Sequence, residues 1–406
     1  MKIGIVAGEA SGDLLGSLLI QALRRHVPDL QFVGIAGPKM QGQGAVSLFP
    51  MEKLAVRGYV EVLRHYREIV AIRRKLIREF IANPPDLFIG VDAPDFNIDL
   101  AAALKRKGIA TIHYVSPSIW AWRRERLRNI GKAVSRVLTL FPFEAPLYEQ
   151  AGIPVSYVGH PLADVLPEQP DKDGARVQLG LNGAGPVIAL LPGSRQSELD
   201  YHADLFVRTA RLIHERLPQA RFLVPLTTRE TRLRFEQALY QADMPALPIQ
   251  ILFGHAHLAL TAADAALIAS GTATLEAAML KCPMVITYKM AGLSYRLMKR
   301  KAYQPYVGLP NILAGEFVVP ELLQDDATPE NLAQAVVNLV RHKTVRDKLV
   351  ERFCGIHRAL KQDNAERCAQ AILPYLKRTG AGQQAADGTV QGAAQHDNQL
   401  SYLRRG

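Results

Sequence analysis

Short apolar runs alternate with longer amphipathic runs along most of this 406-residue chain. Near-continuous apolar runs are typical of strands in a parallel sheet covered on both faces, and the amphipathic runs between them are typical of helices. The runs that predict strands are residues 2–6, 32–35, 87–91, 111–115, 137–140, 155–158, 187–191, 221–224, 249–252, 265–268 and 284–287. The alternation predicts an α/β protein with parallel sheets.

The pattern that opens an α/β unit occurs twice, first at residues 2–25 and again at residues 187–217. Each begins with an apolar run, continues through a glycine-containing turn and ends in an amphipathic run. We therefore expect two doubly wound domains, residues 1–160 and 187–325, whose ligand-binding edges face a shared cleft. Residues 161–186 are expected to be a linker, 326–378 C-terminal helices, and 379–406 a disordered tail.

Composition limits the class of protein. The formal charge of +11 and the pI near 9.5 indicate a polyanionic partner, which could be nucleic acid, an anionic membrane or a phosphorylated substrate. The sequence has no apolar stretch of about 18 residues that would cross a bilayer. Acidic residues at Glu9 and Asp13 favour a first strand and turn over a signal peptide. Three scattered cysteines and the lack of a histidine or carboxylate cluster predict neither disulfides nor a metal site.

In parallel α/β sheets, ligands bind beyond the carboxyl ends of the strands. Residues 265–279 form an apolar run, a small-residue turn and a helix start that carries Glu276. The turn consists of Ser270, Gly271 and Thr272. A helix N-terminus of this kind favours a phosphate, and Glu276 can accept a hydrogen bond from a ribose. A tight turn beside a solvated glutamate is the alternative.

Two junctions in the first half also carry candidate chemistry. After the first strand, Ser11 either caps the next helix or contacts substrate. The glycines here do not form G-x-G-x-x-G, which disfavours a nicotinamide cofactor. After residues 87–91, Asp92 is placed to act as general base for a hydroxyl nucleophile, with Pro94 stiffening the turn. Asp95 and Asn97 are the candidates for capping the helix that follows.

The fourth junction follows residues 187–191. Amides of Gly193 and Ser194, together with the Arg195 guanidinium, suit a departing pyrophosphate, since arginine offers paired donors and keeps its charge. A surface ion pair between Arg195 and Glu198 is the alternative. Among the histidines, His113 is expected in the core and His160 is expected to shape a turn.

Residues 57–78 combine an apolar stripe at helical spacing with seven basic and two acidic residues, a net charge of 7 − 2 = +5. Two interpretations stay open: a helix packed on a sheet with a solvated basic face, or a helix at an anionic membrane surface. The second interpretation assigns membrane contact to a set of arginines and to two tryptophans in a neighbouring basic segment. These residues are Arg64, Arg67, Arg74, Arg78, Trp120 and Trp122.

Six blocks of the sequence resemble the lipid-A-disaccharide synthases, bacterial glycosyltransferases built from two Rossmann-like domains in the GT-B arrangement. The blocks are V-A-G-E-A-S-G-D, G-V-D-A-P-D-F-N, I-H-Y-V-S-P-S-I-W-A-W-R, L-L-P-G-S-R, A-S-G-T-A-T-L-E and L-P-N-I-L-A-G. They occur in the family's order from near the start to Gly315, and the helical region to about Leu376 is also similar. The resemblance therefore covers all but the tail.

The resemblance implies an inverting transfer from UDP-2,3-diacylglucosamine to 2,3-diacylglucosamine 1-phosphate (lipid X), which forms the β-1′,6 disaccharide of lipid A and releases UDP. No metal or other cofactor is implied. Asp92 resembles the family's base, Arg195 the diphosphate contact, and Glu276 and Asn311 UDP contacts, with Ser11 and residues 270–272 nearby. The first domain is then the acceptor side and the second binds the UDP-sugar.

Acylated substrates imply a cytoplasmic enzyme held peripherally at the inner-membrane face, without a nucleic-acid partner. A homodimer that exchanges C-terminal elements is a further expectation from the family. Two rival functions stay open at this point. One is an epimerase of UDP-N-acetylglucosamine on the same architecture, and the other is a basic protein without enzymatic activity that binds nucleic acid or membrane.

Overall fold

A computed structural model describes residues 1–54, 59–119, 124–181, 183, 185–242, 247–292, 295 and 305–377. Within these ranges the chain forms two parallel sheets, each in its own compact unit. Of the described residues, the first unit contains Met1–Ile119, Arg124–Val158 and those from Asp363 to Lys377, and the second contains those within Gly159–Gln362. The predicted α/β class with two doubly wound, Rossmann-like sheets is confirmed.

The sheet of the first unit has seven strands in the described residues, in the order β3-β2-β1-β4-β5-β6-β7. The strands are β1 (Lys2–Ala7), β2 (Gln31–Ile35), β3 (Ala45–Ser47), β4 (Leu87–Val91), β5 (Ala110–Tyr114), β6 (Arg136–Thr139) and β7 (Val155–Tyr157). Every neighbouring pair is parallel. The winding direction reverses between β1 and β4, which is the topological switch point of a Rossmann sheet.

The second unit repeats this order with six described strands, β10-β9-β8-β11-β12-β13, all parallel. They are β8 (Val187–Leu191), β9 (Arg221–Leu226), β10 (Ile249–Phe253), β11 (Ala265–Ala269), β12 (Met284–Tyr288) and β13 (Glu321–Leu323). Strands β8 and β11 flank its switch point, and all of their residues are buried. Complete burial explains why these strands are continuously apolar in sequence.

Helices cover the faces of both sheets. They are α1 (Ala10–His26), α2 (Pro38–Gly42), α3 (Tyr59–Ala82), α4 (Pro94–Lys105), α5 (Leu127–Ala133), α6 (Ala145–Gln150), α7 (Pro161–Val165), α8 (Lys172–Gln178), α9 (Gln196–Arg216), α10 (Arg229–Gln241), α11 (Ala256–Ala262), α12 (Ala273–Met279), α13 (Leu309–Ala314), α14 (Pro329–Arg341), α15 (Lys343–Leu360) and α16 (Asn364–Lys377). Short 3₁₀ turns occupy Met51–Lys53, Arg124–Arg126 and Gln324–Asp326. In the part of the chain described, no helix has an apolar stretch long enough to span a bilayer.

The interval expected to be a plain linker, residues 161–186, contains the two short helices α7 and α8. Each begins at a side chain that accepts a hydrogen bond from a free backbone amide. His160 Nδ1 accepts from the Leu162 amide at 3.2 Å, which confirms its predicted role in the turn, and Asp171 accepts from the Gly174 amide at 2.9 Å. Proline and aspartate in this segment therefore start helices, as expected of residues at the first turn.

The helices expected together at residues 326–378 divide between the two units. Helices α14 and α15 belong to the second unit, whereas α16 packs against α1 in the first. On α16 the side chains of Cys368, Ile372 and Leu376 recur every fourth residue and are at most 2% exposed. At its start, the Tyr114 hydroxyl donates to Asn364 Oδ1 at 2.5 Å. The last helix therefore completes the core of the first unit.

Replacing Ile372 by alanine should destabilise the first unit, because a fully buried side chain is lost from that core. We expect a loss of about 2–5 kcal/mol in the free energy of unfolding, measured as a lower melting temperature. Val345→Ala on α15, where the side chain is 45% exposed, is the matched control and should leave melting almost unchanged. Equal melting of the two variants would contradict the assignment of α16 to this core.

Candidate functional site

The four junctions selected from the sequence follow the four strands that flank the two switch points. Ser11 and Asp92 lie beyond β1 and β4 in the first unit, and Arg195 and Glu276 lie beyond β8 and β11 in the second. Neighbouring strand loops diverge to opposite faces of the sheet at a switch point, which leaves a crevice at the carboxyl edge. Each unit therefore places its candidate chemistry where a parallel sheet binds ligands.

Asp92 occupies a strained turn. Its φ is 51° and that of Ala93 is 42°, so two successive non-glycine residues adopt the left-handed region. Such a conformation costs about 1–3 kcal/mol per residue and persists only where surrounding contacts enforce it. The Asp92 amide donates to the carbonyl of Tyr114 at 2.8 Å, and its carbonyl accepts from Asn97 Nδ2 at 2.8 Å. Both backbone groups of Asp92 are thus fixed.

The environment of Asp92 suits a proton acceptor. Burial raises the pKa of its carboxyl above the ordinary value, and the nearby charge of Glu9 raises this pKa further, against an opposing hydrogen bond from the Ala93 backbone. A carboxylate with a raised pKa binds a proton more readily, which is what a general base requires. As a whole residue, Asp92 is half-buried and not fully enclosed.

Close backbone packing makes this turn possible. A Cβ on Gly8 would lie 2.7 Å from the Cβ of Ala93, and a Cβ on Gly90 would lie 2.8 Å from the Cβ of Asn97. Both distances are shorter than side-chain carbons tolerate, so glycine is required at each position. These glycines thus allow the backbone of β1 and β4 to approach the turn.

Of the two alternatives for Ser11, the one in which it caps α1 is wrong. Glu9 is the residue at the N-cap, and Ser11 lies inside the helix with an exposed side chain. Asp13, by contrast, is 2% exposed and accepts from the amides of Lys39 and Met40 at 2.9 and 3.0 Å, so it stabilises the start of α2. The exposed Ser11 hydroxyl is therefore free of a capping role.

The proposed caps of α4 are corrected in the same way. Ala93 stands at the N-cap, Asn97 is fully buried, and exposed Asp95 pairs with Arg126 at 2.6 Å. Sequence spacing suggested capping because both side chains accept hydrogen bonds. The strained turn before the helix removes the geometry that such a cap needs.

Beyond β8, the Arg195 loop is organised by Glu198. The Glu198 Oε2 atom accepts from the amide of Ser194 at 2.8 Å and from that of Arg195 at 3.3 Å. The Ser194 amide is therefore not open to a pyrophosphate, contrary to expectation. Gly193 has a φ of +132°, and a Cβ there would lie 2.6 Å from the Cβ of Glu198. Only glycine permits this turn.

The Arg195 guanidinium remains available. Its Nη1 is 3.8 Å from Glu198 Oε1, and its side chain is 63% exposed. An exposed pair at that separation contributes little to stability, so the guanidinium is easily redirected to a ligand anion. The ion-pair alternative is thus present in the structure but leaves the cation accessible.

His202, which sequence analysis did not single out, ties this loop to the end of β12. It is fully buried, its Nδ1–H donates to the Glu198 carbonyl at 2.8 Å, and its Nε2 accepts from the Lys289 amide at 2.9 Å. Burial lowers its pKa, in keeping with a neutral ring. The ring also packs on Tyr288, with centroids 5.4 Å apart. Helical spacing alone predicts the burial of His202 but not these partners.

Glu276 lies in the first turn of α12 with its side chain 23% exposed, and His257 Nε2 lies 3.1 Å from its Oε2. This contact raises the pKa of His257. The turn before it is closed by Thr274, whose amide and hydroxyl both donate to the Gly271 carbonyl. Thr272 is exposed and Ser270 half-buried. The carboxylate is therefore at the carboxyl edge with one oxygen near an imidazole.

Asn311, which the family resemblance names as a UDP contact, has a side chain held within the protein. Its side chain is fully buried on α13. The amide nitrogen donates to Val319 O and Glu321 Oε1, and Oδ1 accepts from the amides of Val318 and Val319, all at 2.8–2.9 Å. All of its hydrogen-bonding groups are engaged, so Asn311 holds the loop before β13. Glu321 in turn accepts from the Val307 and Gly308 amides.

Helix α3 presents arginines on the face opposite the core. Ile72, Leu76 and Phe80 are at most 8% exposed, whereas Arg67, Arg74 and Arg78 are exposed at spacings of seven and four residues. Arginines at these spacings form one row. No ion pair found among the described side chains includes any of the three.

Several expected contacts lie outside the described residues. These are Trp120, Trp122, the side chain of Arg64 and the tail from residue 379. Of the basic residues nearby, Arg73 faces α4 instead of solvent, 2.8 Å from Asp99 Oδ2. In the described ranges, no group of three histidine, cysteine or acidic side chains could hold a metal ion.

Comparison with known proteins agrees with the sequence blocks. A family model described as lipid-A-disaccharide synthetase matches residues 3–373. The chain is 57% identical over 375 residues to the lipid-A-disaccharide synthase of Methylobacillus flagellatus, covering 92% of this chain and 99% of the relative. It is 59% identical over 377 residues to that of Dechloromonas aromatica, covering 93% and 99%.

Solved structures share the fold at low sequence identity. A UDP-N-acetylglucosamine 2-epimerase from Listeria monocytogenes, described as putative, aligns with a TM-score of 0.62 at 14% identity, covering 96% of this chain and 99% of the other. The calicheamicin glycosyltransferase CalG4 aligns with a TM-score of 0.56 at 18% identity, covering 93% and 98%. At these identities the likeness establishes the architecture alone.

Gly8→Ala should destabilise the first unit, since its new methyl group would overlap Ala93. We expect a loss of about 1–3 kcal/mol in the free energy of unfolding. Gly42→Ala is the control, because nothing lies within 4 Å of a Cβ at Gly42. Chemical unfolding of both variants measures the difference. If Gly8→Ala is as stable as Gly42→Ala, the turn is not packed as described.

Proposed function

The chain belongs to the lipid-A-disaccharide synthase family and is a hexosyltransferase of lipid A biosynthesis, and on this premise we propose roles for its residues. Family membership implies a UDP-sugar donor and lipid X as acceptor. The likeness to epimerases is one of fold, so it carries no claim to their reaction. The observation that most supports our assignment is the strained, half-buried Asp92 at the switch point of the first unit.

Asp92 is the general base. In the reaction, the 6-hydroxyl oxygen of lipid X bonds to C1 of the donor sugar while the bond from C1 to the UDP oxygen breaks. The hydroxyl proton passes to the Asp92 carboxylate, and the electron pair of the broken bond leaves with UDP. Attack from the face opposite UDP inverts the anomeric carbon, so no covalent intermediate on the enzyme is required.

The second unit binds the donor. Arg195 contacts the diphosphate, where its permanent charge stabilises the negative charge that develops on departing UDP. Glu276 accepts from the ribose hydroxyls, and Ser270, Gly271 and Thr272 form the turn beside it. Gly193 and Ser194 shape the arginine loop, with Glu198 holding its amides. Asn311 supports this edge from within, and the exposed Ser11 hydroxyl is available to substrate in the first unit.

Substituting Asp92 by asparagine should lower turnover at least about 100-fold, because general-base catalysis contributes on that order. Its affinity for UDP should stay unchanged. Arg195→Ala should weaken UDP binding as well as turnover. UDP and disaccharide phosphate released from both substrates in detergent micelles measure turnover, and calorimetry measures UDP binding. Normal turnover by a folded Asp92→Asn enzyme would contradict the assignment of Asp92 as the base.

The exposed row of Arg67, Arg74 and Arg78 on α3 supports a second proposal, that this helix lies against an anionic membrane surface. Exposed Tyr66 and Ile81, at 57% and 42%, flank the row with apolar surface. Arginines attract anionic headgroups while apolar side chains enter the interface. Peripheral attachment at the cytoplasmic face of the inner membrane follows from this proposal, and the homodimer through C-terminal elements stays a prediction from the family.

Reversing the charge of Arg67, Arg74 and Arg78 together to glutamate should reduce binding to vesicles that contain phosphatidylglycerol. The loss should be largest at low salt, where surface charges are least screened. Vesicle co-sedimentation measures binding. The control is Arg232→Glu on the second unit, and this variant should bind like the parent. Reversal of Arg73 is a poorer control, because that side chain is partly buried. Unchanged sedimentation of the triple variant would remove α3 from the membrane proposal.

A further inference from the structure

Asn97 is a polar side chain buried where β1 and β4 end. It is fully inaccessible to solvent, although it lies in the first turn of α4. Its Nδ2 donates to the carbonyl of Asp92 at 2.8 Å and makes longer contacts of 3.4 Å with the carbonyls of Val6 and Val91. One amide group thus contacts the carboxyl ends of both switch-point strands and the turn that follows β4.

The contact reaches Asp92 through its backbone. The Asp92 amide is already held by the Tyr114 carbonyl, so the Asn97 contact fixes the other side of the residue. With both peptide groups of Asp92 anchored, the direction of its Cα–Cβ bond is set. The carboxylate is then free to rotate only about its own side-chain bonds.

The chain accommodates Asn97 at a cost. Gly90 is needed for its close approach, and Asn97 Oδ1 is a buried acceptor without a hydrogen-bond partner among the described residues. An apolar side chain of similar volume would avoid burying that unpaired oxygen. Space filling alone therefore does not account for an amide at this position, whereas its donors do.

We infer that Asn97 is a positioning residue that aims the Asp92 carboxylate at the acceptor hydroxyl by holding the left-handed turn. The inference rests on the proposed function, in which Asp92 is the base. A displacement of about 1 Å at a reacting group can lower the rate on the order of 100-fold. Loss of the Asn97 donors should accordingly act on the rate constant of transfer and not on donor binding.

A matched pair of variants isolates the donors. Asn97→Ala and Asn97→Ser remove nearly the same volume, but serine keeps one hydroxyl donor. We expect kcat to fall about 10–100-fold in the alanine variant and to recover in part in the serine variant. The Kd for UDP should remain within about twofold of the parent in both. Turnover is measured in detergent micelles below every variant's melting transition.

Leu100→Ala is the control for a loss of stability alone. Leu100 is fully buried on the same helix, and its side chain has no hydrogen-bond donor. This variant should lower the melting temperature yet keep kcat near the parent value. If the alanine variant at Asn97 does not fold, the serine variant is compared with Leu100→Ala in its place.

Three results would overturn the inference: an unchanged kcat, equal losses in the alanine and serine variants, or a loss matched by weaker UDP binding. Asp92→Asn separates these from failure of the proposed function. If that variant is inactive while the Asn97 variants are normal, Asp92 stands and the positioning role fails. If Asp92→Asn is fully active, the base assignment fails, and the inference fails with it.

Discussion

The parallel pairing of the two strands at each switch point is the constraint on which the rest of the structure depends. In the first unit β1 pairs with β4 from Ile3 opposite Leu87 to Ala7 opposite Val91, and in the second β8 pairs with β11. Parallel pairing brings the carboxyl ends of both strands to one edge, while the chain leaves them toward opposite faces. Asp92, Arg195 and Glu276 all depend on that geometry for their place at an edge.

Each unit then fixes its edge with hydrogen bonds from polar side chains to the backbone. In the first unit the Asn97 amide binds the carbonyls that the left-handed turn presents. In the second, the Glu198 carboxylate binds the amides of the arginine loop, and Asn311 binds the strand loop before β13. A buried hydrogen bond adds only about 1 kcal/mol to stability, but an unpaired partner costs more, so such contacts favour one loop conformation over its alternatives.

Much of this architecture is readable from the sequence, because continuous apolar runs report strands that are buried on both faces. The bounds predicted for β4 and β8 agree with the structure, and Asp92 and Arg195 follow them as expected. Two short edge strands, β3 and β13, were missed, since each has only three residues and no distinct pattern.

The failures have one physical cause, which is that local sequence does not specify long-range partners. The resemblance that named Asn311 carries no information about the burial of its side chain or about its partners at the loop before β13. Ser11 had the chemistry of a cap, but the chain enters the helix two residues earlier. Helix α16 continues a helical region in sequence, yet its apolar stripe finds its partner in the first unit. Burial and chain return are decided by packing, which periodicity alone does not encode.

The fold by itself does not choose a reaction, since epimerases and glycosyltransferases share it at 14–18% identity. The transfer proposed for this chain differs from epimerisation in its acylated acceptor, which calls for access to a lipid surface. In our proposal helix α3 provides that access: Ile72 and Leu76 are buried on one face, and Arg67 and Arg74 are exposed on the other. The buried face of α3 is held by apolar packing, whereas the exposed face interacts with solvent and ions. Surface charge on α3 can therefore change without disturbing the core of the unit that contains Asp92.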